Sequence, residues 1–114
     1  MAYSKELASR IRKLLSDANV TEEIEMMGGL VFMVNGRMSI GIKQEKGSGL
    51  DKLMLKLGQA EITKWADEAE CEPVDLGGRK MKAFLYVSAQ AFESDAELKT
   101  WVDRALQYNL EQEK

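Results

Sequence analysis

The sequence contains no histidine, one cysteine and one proline among its 114 residues. Without histidine, the chain lacks the commonest general base, the usual activator of a serine or cysteine nucleophile and a frequent zinc ligand. A single cysteine, Cys71, excludes an internal disulfide and is typical of a reducing compartment. No apolar run approaches the roughly 20 residues that span a bilayer, and no apolar segment follows the first charges as in a secretion signal. We therefore expect a cytoplasmic domain that is not an enzyme, needs no cofactor or metal, and has no membrane partner.

Charge is distributed unevenly along the chain. The net charge of −3 disfavours a general attraction to nucleic acid. Residues 37–56 nevertheless carry five Lys/Arg against two Asp/Glu, and residues 79–82 add three basic residues without an acid. If these two segments form neighbouring strands, one sheet face is locally positive. The alternative is an ordinary solvated face opposite acidic helices.

Three pairs that contain glycine shape the predicted sheet. Asn35-Gly36 lies between two apolar runs, and both residues tolerate the positive φ angles of a type I′ hairpin turn. Gly77-Gly78 predicts a second hairpin of the same kind. Gly28-Gly29 interrupts a strand predicted over residues 24–34. There it indicates either a bulge or a point where a ligand or a second backbone approaches closely.

Three segments have the apolar spacing of amphipathic helices. The first covers residues 4–18 with Ser4 as its N-cap, and the second covers residues 59–70. The third begins with the capping-box pattern Ser94-Asp-Ala-Glu97, and a charged tail follows it at residues 111–114. On the apolar stripes of the last two helices, Trp65 and Trp101 are predicted to anchor the core.

The element order α-β-β-β-α-β-β-α predicts an α+β fold in a single domain over residues 1–114. Strands joined by tight hairpins are antiparallel, and one-sided helices need a sheet face to cover. We expect a two-layer structure in which three helices shelter one face of a five-stranded antiparallel sheet. The second face then remains open to solvent or to a partner.

Four motifs, in order along residues 24–106, resemble those of one known family. They are Met26-x-Gly-Gly-Leu-x-Phe-x-x-Asn-Gly-x-Met38, Leu53-x-Leu-Lys56, Gly78-Arg-x-Met-Lys-x-Phe-x-Tyr-Val87 and Leu98-x-x-Trp-Val-x-x-Ala-Leu106. Together they are similar to the N-terminal domain of TfoX/Sxy competence regulators, here as a standalone domain. The sequence departs from the family pattern at Met27, where phenylalanine is common, and at Glu25, where a basic residue is frequent. The resemblance implies the same two-layer fold and a bacterial role in transcription regulation of competence genes, acting through other proteins.

Basic and aromatic residues on the predicted strands are the candidate binding residues. Lys80, Lys82, Phe84 and Tyr86 share one strand face by alternation. The full set is Arg37, Lys43, Lys52, Lys56, Arg79, Lys80, Lys82, Phe84 and Tyr86. Our first hypothesis is a non-enzymatic protein–protein interaction domain that uses this face, with a homodimer left open. Direct nucleic-acid binding through the same strands, and a small-molecule binder or enzyme of unknown class, are the alternatives.

Overall fold

The computed structural model describes residues 3–26, 28–45, 47–65, 68, 71–76 and 79–112. In chain order they form α1 (Lys5–Leu14), β1 (Val20–Met26), β2 (Gly29–Val34), β3 (Arg37–Gln44), β4 (Asp51–Lys56), α2 (Gly58–Trp65), β5 (Cys71–Leu76), β6 (Arg79–Ser88), a short 3-10 helix (Ala89–Phe92) and α3 (Asp95–Glu111). None of the helices within these ranges has both the length and the apolar composition needed to cross a bilayer.

The sheet is open and antiparallel, with six strands in the order β1-β2-β3-β4-β6-β5. This confirms the predicted α+β class, although the prediction had five strands. The additional strand arises because residues 20–34 form a hairpin. Met26 pairs with Gly29, and Gly28 between them has a φ of +74°, a value that favours glycine. The predicted single strand with a bulge at Gly28-Gly29 is therefore wrong.

All three helices pack on the same face of the sheet. One continuous core cluster joins residues of α1, α2, α3 and the 3-10 helix to alternating strand residues. The strand residues on this side are Leu30, Phe32, Ile40, Ile42, Leu53, Leu55, Cys71, Leu85 and Val87. The predicted one-sided helical layer is thus confirmed for the described residues.

The predicted N-caps of the first and third helices are confirmed. The Ser4 hydroxyl caps α1 by accepting from the Leu7 N–H, and Ser94 and Glu97 form the predicted capping box at α3. The first helix ends at Leu14, which is earlier than predicted, because the chain turns at residues 15–17. For the second helix, the predicted end at residues 66–70 lies largely outside the described residues.

The two tryptophans stabilise the helical layer as predicted. Their rings meet edge to face, with centroids 5.4 Å apart and an interplanar angle of 67°. The indole N–H of Trp101 donates to the Ala91 carbonyl, and that of Trp65 donates to the Glu61 carboxylate. The polar atoms of both rings, the buried Trp101 and the partly buried Trp65, are therefore satisfied.

The Asn35-Gly36 turn is fixed to α3 by a buried asparagine. Asn35 has a φ of 54° and Gly36 a φ of 77°, which confirms the predicted turn. The Asn109 amide, 1% exposed, donates to the Val34 carbonyl at 2.9 Å and accepts from the Asn35 side chain at 2.8 Å. These contacts hold the tip of the β2–β3 hairpin against the C-terminal half of α3.

Candidate interaction surface on the open sheet face

The sheet face opposite the helices, which we call the open face, carries its own small apolar cluster. Met54, Val74, Phe84 and Tyr86 form this cluster, which includes no helix residue from the described part of the chain. Strand register places Gly41, Met54 and Tyr86 side by side on β3, β4 and β6, while Lys43 faces Lys52 one step along. Because side chains alternate along a strand, the lysines and the cluster share this face.

Lysine side chains cover the aromatic rings of the open face. The ammonium nitrogens of Lys43 and Lys52 each lie 4.8 Å from the centre of the Tyr86 ring. That of Lys56 lies 5.8 Å from the centre of the Phe84 ring. Such cation–π contacts stabilise lysines over ring faces, and the aliphatic stems shield apolar surface. Phe84 and Tyr86 are each only 8% exposed, although no helix residue in the described part of the chain packs in their cluster.

Lys52 is held by two carboxylates. Its ammonium group lies 2.6 Å from a Glu72 oxygen and 3.2 Å from a Glu45 oxygen, and its side chain is 12% exposed. Burial alone lowers the pKa of Lys52, but the hydrogen bonds to Glu72 and Glu45 outweigh burial and leave this pKa raised. The same hydrogen bond from Lys52 lowers the pKa of Glu45. Lys52 therefore ties β4 to β5 and is already neutralised.

Lys43 and Lys56 differ from Lys52 in their pairing. Among the described residues, neither has a carboxylate within ion-pair distance. Both residues are partly exposed. These two cations are the groups on the open face that can bind an anion without breaking an existing ion pair.

Two glycines leave a shallow depression beside Tyr86. The depression has a volume of about 20 Å³, and its walls come from Gly29, Val31, Gly41, Met54, Tyr86 and the lysine pair. A Cβ added to Gly41 would lie 3.2 Å from the Met54 methyl group and would reduce this space. The depression holds about one water molecule, or the tip of one small side chain.

Gly29, unlike Gly41, lies against the backbone of a neighbouring strand. A Cβ there would overlap the carbonyl oxygen of Ile42 on the neighbouring strand. Of the two alternatives given for Gly28-Gly29, the structure therefore supports the close approach of a second backbone. Because this backbone is β3, Gly29 is required for strand pairing.

The predicted binding residues separate into three groups. Lys43, Lys52, Lys56, Phe84 and Tyr86 come together on the open face, as described above. Arg79, Lys80 and Lys82 lie on β6, but their side chains are outside the described ones, as is the Gly77-Gly78 turn. A register shift between Pro73 and Val74 also interrupts the pairing of β5 with β6 opposite residues 82–84. The prediction that Lys80 and Lys82 share a face with Phe84 falls outside the described side chains.

Arg37 does not belong to the open face, which corrects the prediction. Its guanidinium donates to the Asn109 carbonyl at 3.0 Å and thus lies on the helix side. The reason is an irregularity in the β2–β3 pairing: Phe32 pairs with Ile40, whereas Met33 pairs with Met38. One extra residue in β3 shifts the alternation, so that Arg37 is out of phase with Lys43.

Sequence reasoning missed the carboxylates that bind Lys52. Glu72 lies on β5, beyond β6 from β4, so its proximity to Lys52 depends on the strand order, for which the local pattern gives no signal. Glu45 lies in the connection between the paired strands β3 and β4 and contacts Lys52 from there. Gly41 was also missed, although a glycine within an apolar strand marks a close approach.

The described elements define an α+β domain in which one layer of helices covers an open antiparallel sheet. The sequence profile described as TfoX N-terminal domain matches residues 13–108. The chain therefore belongs to the TfoX N-terminal domain family, as the motifs predicted. No curated protein and no solved structure matches the chain.

Proposed function

We propose that this chain is a non-enzymatic protein-interaction domain that takes part in regulating competence genes, and that its open face binds an acidic segment of a partner protein. Membership of the TfoX N-terminal domain family supports the link to competence. The single observation that carries the binding proposal is the pair of cations Lys43 and Lys56, neither of which forms an ion pair with a described residue, on a lysine-covered sheet face of a protein whose net charge is −3.

An acidic protein segment fits the open face better than a nucleic acid does. Single-stranded nucleic acids are bound by stacking bases on exposed rings along a strongly positive groove. Here Phe84 and Tyr86 are 8% exposed beneath lysine stems. The third lysine, Lys52, is already paired with Glu72 and Glu45. Carboxylates of a partner need only the ammonium groups of the two partly exposed lysines.

The proposal that the domain is not an enzyme has two supports. The sequence lacks histidine, and the shifted pKa values of carboxyl groups in the described residues have structural causes. Glu23 is paired with Arg12, Glu45 is paired with Lys52, and Asp51 is desolvated by burial. These groups lie on different elements and do not converge on one cleft.

The test is a fluorescence titration at low salt with an Asp/Glu-rich peptide as the probe. We expect Lys43→Gln/Lys56→Gln to weaken binding about fivefold, because two charge contacts of ordinary surface strength are lost. Lys13→Gln/Lys64→Gln removes the same charge from exposed positions on α1 and α2 and serves as the control. We expect it to bind like the wild type.

Two further measurements separate the proposal from its alternatives. A single-stranded oligonucleotide that binds more tightly than the peptide, and loses affinity in Lys43→Gln/Lys56→Gln, would favour nucleic-acid binding instead. In the native host, the same double variant should lower transcripts of competence genes, whereas Lys13→Gln/Lys64→Gln should not. Unchanged transcripts in Lys43→Gln/Lys56→Gln, although its peptide binding is weakened, would contradict the regulatory part of the proposal.

A further inference from the structure

A second surface, on the opposite side of the molecule, has an apolar floor and acidic edges. It is a groove of about 490 Å³ between the C-terminal part of α3 and the segment in which α1 ends. We call it the α1–α3 groove. Its walls are Leu14, Asp17, Ala18, Asn19, Val34, Asn35, Lys99, Asp103, Leu106, Asn109 and Leu110.

The apolar residues of the groove are incompletely covered. Leu110 is 54% exposed and, with Leu50, is one of two exposed large hydrophobic residues in the described part of the chain. Leu14, Ala18 and Leu106 are half-buried around it. On α3, the wall residues Lys99, Asp103, Leu106 and Leu110 follow one another at i, i+4, i+7 and i+11, so they form one stripe along the helix.

Hydrogen bonds link the three asparagines of the groove to one another and to the backbone. Asn19 donates to Asn35, Asn35 donates to Asn109, and Asn109 donates to the Val34 carbonyl. An apolar occupant therefore leaves none of these amides without its partner, and this removes the main penalty for covering them. The backbone groups of the α3 wall are bonded within that helix. On the opposite wall, which continues beyond the end of α1, the Ala18 N–H and carbonyl and the Asn19 carbonyl are bonded to neighbouring backbone groups, so neither wall resembles the open edge of a sheet that pairs with an incoming strand. A helix, which satisfies its own backbone, suits such walls.

The negative charge at the edges of the groove favours an occupant with basic residues beside its apolar stripe. Asp17 is exposed and has no cation within ion-pair distance among the described residues. Asp103 is paired only with Lys99, and the last turn of α3 has no basic residue to offset the partial negative charge at that helix end. We infer that the α1–α3 groove binds an amphipathic helix of a partner protein, with an apolar stripe that covers Leu110 and with Lys or Arg beside the stripe.

The test uses the full chain and three synthetic peptides. The first is a helix-forming peptide with leucines at i, i+4, i+7 and i+11 and lysines at both flanks. The second replaces the lysines with glutamates, and the third scrambles the first. We expect binding of the lysine peptide alone, weakened about tenfold by Leu110→Ser because one leucine contact is lost. The matched control, Leu50→Ser, should leave the affinity unchanged.

A charge-reversal pair tests the acidic edge. Asp17→Lys should weaken the lysine peptide about threefold or more, while Glu93→Lys, with the same charge change beyond the other end of α3, should not. Equal binding of the lysine and glutamate peptides, or binding unchanged by Leu110→Ser, would overturn the inference. A concentration-dependent dimer abolished by Leu110→Ser would show that a second copy occupies the groove instead. Since Lys43→Gln/Lys56→Gln leaves this groove intact, failure here is separable from failure of the open-face proposal.

Discussion

Asn109→Ala should lower the stability of the fold, because Asn109 connects α3 to the β2–β3 hairpin by two hydrogen bonds. The substitution removes the donor to the Val34 carbonyl and the acceptor of the Asn35 amide, both at a position that is 1% exposed. Each net hydrogen bond contributes about 1 kcal/mol, and a buried group left unpaired costs about 1–3 kcal/mol. We therefore expect the free energy of unfolding to fall by about 2–4 kcal/mol.

The same loss can be expressed as a melting temperature. At about 2.1 cal/mol/K of unfolding entropy per residue, a fall of about 2–4 kcal/mol corresponds to roughly 8–17 °C in a chain of this length. Urea unfolding followed by the fluorescence of Trp65 and Trp101 measures the free energy directly. The exposed neighbour position gives the control, because Gln107→Ala should change stability by less than about 0.5 kcal/mol.

A second substitution at this position identifies the cause. Asn109→Asp keeps an acceptor for Asn35 but, when ionised, places a carboxylate against the Val34 carbonyl. The new carboxyl group should therefore have a raised pKa in the folded state, so its destabilising effect grows as the pH rises from acid to neutral. If Asn109→Ala lowers stability no more than Gln107→Ala, the account of the hairpin–helix connection is refuted.

Three other predictions concern charge and close packing. Arg12 lowers the pKa of Glu23 by hydrogen bonding, so this pair stabilises the fold above the usual carboxyl pH range, and the stabilisation is lost as the pH falls. In Arg12→Gln, the free energy of unfolding, measured by urea titration, should therefore decrease less as the pH is lowered into the acid range. Burial raises the pKa of Asp51, so Asp51→Asn should stabilise the protein at neutral pH, and this gain should vanish in acid; equal effects at both pH values would contradict it. Gly29→Ala should lower the free energy of unfolding by more than about 2 kcal/mol, because its Cβ would overlap the backbone of β3. Gly41→Ala should lower it less, because the flexible Met54 methyl group can move away from the new Cβ. Thermal unfolding of the two variants measures the difference.

Signals that act over a few residues were predictable from the sequence. The Asn35-Gly36 turn and the capping box at Ser94 depend on positive φ and on side chains close in the chain, and both are confirmed. Strict alternation along residues 50–57 also predicts that Lys52 and Lys56 lie on one side of the strand, as they do on β4. The one-sided helical layer followed from apolar stripes that need a single sheet face.

Features that depend on long-range pairing were not predictable in this way. β1 was missed because Glu22 and Glu23 make its sequence polar, as suits an exposed edge strand. An irregularity in β3 moved Arg37 to the helix side, and no local pattern marks it. Asn109 lies within an apolar helix face, where its role depends on contact with a distant hairpin.

The central claim is that the open face binds an acidic segment of a protein, and site-specific photo-crosslinking in the native host tests it most directly. A photoreactive residue at position 56 lies on the open face, and one at position 64 lies on α2 as the control. The account predicts that position 56 crosslinks to an Asp/Glu-rich stretch of a protein, identified by mass spectrometry of the adduct, and that position 64 does not. Adducts at position 56 that consist of nucleic acid, or that map to basic protein segments, would contradict it.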